Sequence, residues 1–254
     1  MPDPRPTGLP LVDGLAALAR PTLQDWVDAA SEYIVACETL EPLELDDDTT
    51  VTVAGRKKAG QIRLSAALGR ALAQDLHERY PGINATVGET AVSGALRISR
   101  VDVVEMTQLD GLKLAIELKP INLAVGRAIW NRFGDIRVSA VSMHLKYPYA
   151  VVGGVLTVPT WETTSGGTRK STEDLIRRLS EALRRAGGRM REDDAPHRLE
   201  GVAVVAFDPD TATIRDDLPP PYIGLRWLEA VETMARVYEE RFPPASVQPG
   251  ESED

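Results

Sequence analysis

Arg97-Ile98-Ser99-Arg100-Val101-Asp102-Val103-Val104-Glu105 and Lys113-Leu114-Ala115-Ile116-Glu117-Leu118-Lys119-Pro120 read as two apolar strands joined by a tight turn at Leu109-Asp110-Gly111. Charge interrupts both runs, Asp102 in the first and Glu117 and Lys119 in the second. Side chains of a strand alternate faces, so Glu117 and Lys119 project on the same side. A turn centred near Asp110 puts Asp102 across from Leu118, with Glu117 and Lys119 as its cross-strand neighbours. Two carboxylates and an ammonium then converge beside Val103, Val104, Leu114 and Ile116. Unpaired charge in an apolar setting costs several kcal/mol, so a sheet keeps such a cluster only where it is used.

Outward from the hairpin, the pattern predicts a mixed α/β sheet with helices on both faces. Gly60 to about Tyr80 carries the stripe Ile62, Leu64, Ala67, Leu68, Leu72 and Leu76, closed by Pro81-Gly82, and is the clearest helix. Strands are expected at about Ile83–Glu89, Leu96–Met106 and Leu112–Leu118. A helix from about Ala124 to Leu145 follows, with Phe133-Gly134 as a candidate interruption. Ala150–Val158 reads as a buried central strand, Thr163–Thr168 as a Ser/Thr/Gly loop, and Thr172 to Ala186 as an Arg-rich helix. Val202–Phe207 is a further strand and Ile223–Phe242 a last amphipathic helix. Upstream, a loose leader spans 1–20, a helix Thr22–Glu38 and an acidic linker Glu41–Thr50. The chain thus divides into an N-terminal helical extension (1–57), a core (58–158), C-terminal recognition or dimer elements (159–242) and a disordered tail (243–254).

Composition bounds the rest. The 254 residues are 43% hydrophobic with net charge −9, and no apolar run approaches the roughly 20 residues of a membrane span. The Pro-rich start lacks the order of a signal peptide, and the single cysteine, Cys37, rules out an internal disulfide. A cytoplasmic location is expected. The acidic total argues against non-specific coating of nucleic acid, yet Lys113–Lys146 holds six Lys or Arg against two Asp or Glu.

Mg²⁺ takes hard oxygen ligands and keeps several waters, so two carboxylates suffice. Asp102 and Glu117 supply them, and the Leu118 carbonyl is a third donor. Lys119 beside them suits orientation of an attacking water and stabilisation of phosphorane-like charge. The set fits phosphodiester hydrolysis. It does not fit acyl transfer, because no Ser or Cys nucleophile with a His partner is evident.

At these residues the chain resembles the PD-(D/E)xK nuclease superfamily: Asp102 matches the first acid and Glu117-Leu118-Lys119 the E-x-K tripeptide. Val101 stands where Pro is common. The resemblance covers about residues 58–158 and implies a restriction-endonuclease-like mixed sheet in αβββαβ order. It also implies Asp102 and Glu117 as metal ligands and Lys119 as catalytic lysine. Some members recruit an extra acid, for which Glu89 and, with less support, Glu78 are available. Glu117-Leu118-Lys119 is the one acid-x-Lys tripeptide of the chain, and Lys is scarce, six against 23 Arg. The competing structural reading is an edge hairpin with Asp102 paired to Arg100 or Lys113.

Arg127 and Asn131, four apart on one helix face, together with Arg132 and Arg137, are the candidate contacts to double-stranded DNA. Trp130 reads as core packing, and Arg177-Arg178, Arg184-Arg185 and Arg189 as a second candidate phosphate patch. His77, His144 and His197 are isolated and receive no catalytic role. The expectation is a Mg²⁺-dependent type II restriction endonuclease acting as a homodimer, with the Ile223–Phe242 or Thr22–Glu38 helix at the dimer contact. Two alternatives stay open: a nuclease directed by DNA structure, damage or modification, and a nuclease-like fold that binds without cutting.

Overall fold

The computed structural model describes residues 43–44, 50–51 and 53–243, apart from 122–123, 165–166 and 212. The expected leader, the Thr22–Glu38 helix, Cys37 and the end of the tail lie outside the described residues. Two short strands, β1 (Leu43–Glu44) and β2 (Thr50–Val51), pair within the stretch read as an acidic linker. They precede helix α1 (Val53–Arg79), strands β3 (Thr86–Ser93), β4 (Ile98–Thr107) and β5 (Gly111–Pro120), helix α2 (Val125–His144) and strand β6 (Val151–Pro159). A small hairpin of β7 (Trp161–Thr163) and β8 (Arg169–Ser171) leads to α3 (Glu173–Ala186), β9 (Gly201–Asp208), β10 (Thr213–Ile214) and α4 (Trp227–Arg241). From α1 to β6 the order is α-β-β-β-α-β, as expected.

The main sheet runs β10-β9-β6-β5-β4-β3. β5, β6 and β9 are mutually parallel, whereas β3–β4 and β4–β5 are antiparallel. Strands buried on both faces have no polar side, and every residue of β6 is buried. Helices α1 and α4 cover one face, packing Leu68, Leu72, Leu76, Trp227 and Met234 on Val103, Leu114, Ile116 and Leu118. Helices α2 and α3 cover the other, packing Ile129, Ile136, Ile176 and Leu179 on Val104, Ala115, Val152 and Leu156. Each such side chain contributes roughly 1.5–3 kcal/mol of burial.

Several expectations are corrected. α2 is continuous through Phe133-Gly134, because Gly154 of β6 leaves room for Ile136 and seats the helix there; a Cβ at Gly154 would stand 2.7 Å from Ile136 Cγ2. Among the described side chains of α1 the first buried one is Ala67, and Ile62 is exposed. The last helix begins at Trp227, after a 3-10 turn at Pro221–Ile223. Its apolar face is used within the chain: Trp227 Nε1 donates to Asp75 Oδ2 (2.6 Å) and the Tyr238 hydroxyl to Glu105 Oε1 (2.6 Å). That face is therefore not open to a second subunit. No helix among the described residues is long and apolar enough to cross a membrane.

Candidate active site

The β4–β5 connection closes with Thr107 opposite Gly111, leaving Gln108–Asp110 as a three-residue loop. Gly111 takes φ +70°, the left-handed position that completes such loops, and Asp110 N–H donates to Thr107 Oγ1 at 2.9 Å. A register shift follows between Glu105 and Met106, after which Val104 pairs with Ala115 and Val103 with Ile116. The pairing ends at Val103–Ile116, in a register one residue off the one that places Asp102 across from Leu118, and Asp102 meets Leu118 through its side chain, Oδ2 accepting the Leu118 N–H. Glu117 and Lys119 share with Ala115 the face covered by α2 and α3, and the Asp102 carboxylate comes beside them, bonded to the Leu118 N–H and close enough for both charges to act on it.

Asp102 occupies a break in both of its ladders. Toward β3, Val103 pairs with Val87 and Val101 with Thr90, so Gly88 and Glu89 bulge opposite Asp102. Toward β5, the recorded ladder stops at Val103–Ile116, and Asp102 Oδ2 accepts the Leu118 N–H at 2.7 Å. The backbone of Ile121 turns the other way, its N–H bonding Thr157 O of β6 at 2.9 Å. With a period of two, the Leu118 N–H and C=O both face the Asp102 side. A backbone carbonyl and two carboxylates thus share one niche.

Glu117 is 4% exposed, and Lys119 Nζ stands 2.9 Å from its Oε2. That oxygen is buried, and the Lys119 ammonium is its partner. Burial pushes the Asp102 carboxyl above its usual range, and the Glu117 and Glu89 charges push the same way; the Leu118 amide and Lys119 ammonium oppose them. Two carboxylates brought together in a largely buried place, one of them with a raised carboxyl, supply hard oxygen donors that suit a divalent cation. The partners required by the edge-hairpin reading are engaged elsewhere: Arg100 with Glu89, and Lys113 with Asp110 at 3.2 Å. Leu114, Ala115 and Ile116 are buried, as a central strand requires.

Glu89 does not end a strand as expected. It lies mid-β3 in the bulge, exposed and ion-paired to Arg100, and acts on Asp102 through its charge. Glu78 is exposed and accepts Gln74 Nε2 at 2.9 Å. Arg127, Asn131, Arg132 and Arg137 are exposed on α2, which begins six residues after Lys119. Arg132 bonds Asp135 at 3.1 Å, and the Arg137 guanidinium lies 5.5 Å from the Phe133 ring centre. Trp130 is not core: it is 42% exposed and meets Phe133 edge-on at 6.3 Å.

The second Arg patch is also revised. Arg177, Arg178, Arg184 and Arg185 are exposed, but Arg189 is buried, donating to Glu200 Oε1 at 2.6 Å. Arg241 Nη1 bonds the same oxygen at 2.8 Å, while Glu200 Oε2 faces His144 Nε2 at 3.1 Å and accepts the Val152 N–H at 2.9 Å. His144 Nδ1 lies 2.9 Å from Pro196 O, so both ring nitrogens face acceptors. This cluster lies at the opposite ends of β6 and β9 from the Lys119 end of the parallel sheet. Sequence reading missed it because its members are remote along the chain. It also missed Glu162, whose Oε2 accepts the first amide of α2, Val125 N–H, at 2.6 Å.

No protein-family model, curated protein or solved structure matches the chain.

Proposed function

We propose that the protein is a Mg²⁺-dependent endonuclease hydrolysing phosphodiester bonds of double-stranded DNA, best read as a type II restriction enzyme of the PD-(D/E)xK kind. The observation that carries the reading is the convergence of Asp102, Glu117 and Lys119: Asp102 accepts the Leu118 N–H at 2.7 Å, Lys119 pairs with Glu117 at 2.9 Å, and both charges act on Asp102. Ligands of open α/β sheets bind outside the carboxyl ends of the strands, the end of β5 at which Glu117 and Lys119 stand.

Asp102 Oδ, Glu117 Oε and the Leu118 carbonyl would hold the ion. Bound Mg²⁺ supplies charge neutralisation at the phosphoryl oxygens and makes water a better nucleophile. The Lys119 side chain is 20% exposed, so its ammonium beside Glu117 acts with little screening. Lys119 orients the attacking water and stabilises the charge that develops on the phosphoryl oxygens. Arg127 and Asn131 serve the duplex from the first turns of α2. A homodimer cutting both strands and a cytoplasmic location go with this reading.

The test is incubation with plasmid and phage DNA in Mg²⁺ or EDTA, beside Lys119→Ala. Discrete fragments that need Mg²⁺ and fall by about 10²–10³ in rate in the variant are the expected result. A smear or nicking lost in the variant moves the substrate to structured, damaged or modified DNA. Absence of cleavage on every duplex, branched and modified substrate sinks the reading.

A further inference from the structure

We infer that the β7–β8 hairpin is a second wall of the DNA cleft and that Lys170 contacts a backbone phosphate there. The inference rests on the nuclease reading above. The hairpin leaves the carboxyl end of β6, next to the strand that carries Glu117 and Lys119. Its base is fixed. Thr160 N–H donates to Phe207 O of β9 (2.9 Å), Thr172 N–H donates to Thr160 O (2.9 Å), and the Thr172 hydroxyl bonds Pro159 O. Arg169 is committed to the scaffold as well, bidentate to Asp210 at 2.7 and 3.0 Å and 4.0 Å over the Trp161 ring.

Lys170 is placed differently. It lies directly across the ladder from Glu162, the position at which opposite charges ordinarily pair. Glu162 turns instead to α2 and takes the Val125 amide at 2.6 Å. Directly opposed residues share a face, so Lys170 stands on the side of Glu162, of α2 and of the catalytic side chains. Exposed, and with no ion pair among the described residues, it presents a full positive charge to whatever occupies the cleft. With Arg127 on the α2 side, two cations flank the carboxyl end of β5, and the occupant of complementary charge is a phosphodiester backbone.

Binding of sheared duplex DNA is measured by titration across a salt series in Mg²⁺, in a Lys119→Ala background. Lys170→Ala is expected to weaken binding by about 3–10-fold at 0.1 M salt and to reduce the slope of log K against log salt by about one. Lys170→Arg keeps the slope, and Lys170→Glu loses more than Lys170→Ala. Arg236→Ala, exposed on α4 over the opposite face of the sheet, serves as a control that leaves the slope as it was. An unchanged slope in Lys170→Ala, with the Lys119→Ala parent binding DNA, overturns the hairpin assignment alone. If the parent does not bind DNA at all, the nuclease reading falls and this inference with it.

Discussion

Burial holds the Asp102 carboxyl above its ordinary pKa, and this sets a sign for both stability and metal binding. Below the unfolded carboxyl's pKa both states carry the proton. As pH rises, the unfolded chain ionises first, so stability falls until the pH passes the raised folded value. Asp102→Asn, whose amide oxygen still accepts the Leu118 N–H, escapes that loss. In EDTA it is expected to match the wild type near pH 3 and to exceed its Tm by roughly 2–4 °C at pH 7, about 1 kcal/mol in a domain this size. Mg²⁺ reverses the order. At ten times its Kd it adds about 1.4 kcal/mol to the wild type and nothing to the variant. Thermal scans with and without Mg²⁺ check both halves; a variant that gains as much from Mg²⁺ as the wild type removes Asp102 from the ligand set.

At the scale of elements, α2 joins the site to the helix surface that carries Arg127 and Asn131, and its start is strained. Ala124 precedes the helix at φ +48°, a left-handed conformation that costs an L-residue about 1–2 kcal/mol. Glu162 caps the following amide and holds that entry in place. Ala124→Gly relieves the strain and is expected to raise Tm by roughly 2–4 °C in thermal denaturation. A fall in Tm would mean that the entry is not strained. The bulge in β3 and the early end of the β4–β5 ladder work together at the same scale. They release the backbone on both sides of Asp102, so its carboxylate reaches Leu118 instead of lying over a continuous ladder.

Across the whole molecule, Glu200 ties together parts that the sheet alone does not. It joins His144 at the end of α2, Val152 of β6, Arg189 before β9 and Arg241 of α4. Burial pushes its carboxyl up, but the bond and charge of His144, the Val152 amide and Arg241 outweigh this and bring it below the usual glutamate range. The network's contribution is therefore full above the unfolded pKa and is lost as pH falls through the depressed folded one. Glu200→Gln leaves buried cations without their carboxylate and is expected to cost about 3–5 kcal/mol, on the order of 10 °C in Tm at pH 7. The difference from wild type should shrink in acid; a gap that stays constant down to pH 2 would show that packing, not charge, holds this end.

Local periodicity carried most of the architecture. The spacing of Glu117 and Lys119, the apolar run of β6, the stripe from Ala67 to Leu76 and the Pro81-Gly82 stop all express strand or helix geometry within a few residues. The helix–strand order and the mixed sheet follow from such signals. Register did not, because two bulges, each one residue in size, decide how Asp102 meets β5, and no periodicity records a bulge. Trp130 sits at a helical position compatible with core or surface, and only the packing of α2 on Ile129 and Ile136 turned it outward. The β7–β8 strands are three residues each, too short for alternation to identify. The Glu162–Val125 bond and the Glu200 cluster join residues 37 to 56 apart, apart from the nearer Arg189. Such pairs are selected by the closure of the sheet and the docking of α4, which bring distant charges into one low-dielectric place; nothing in either local segment specifies the partner.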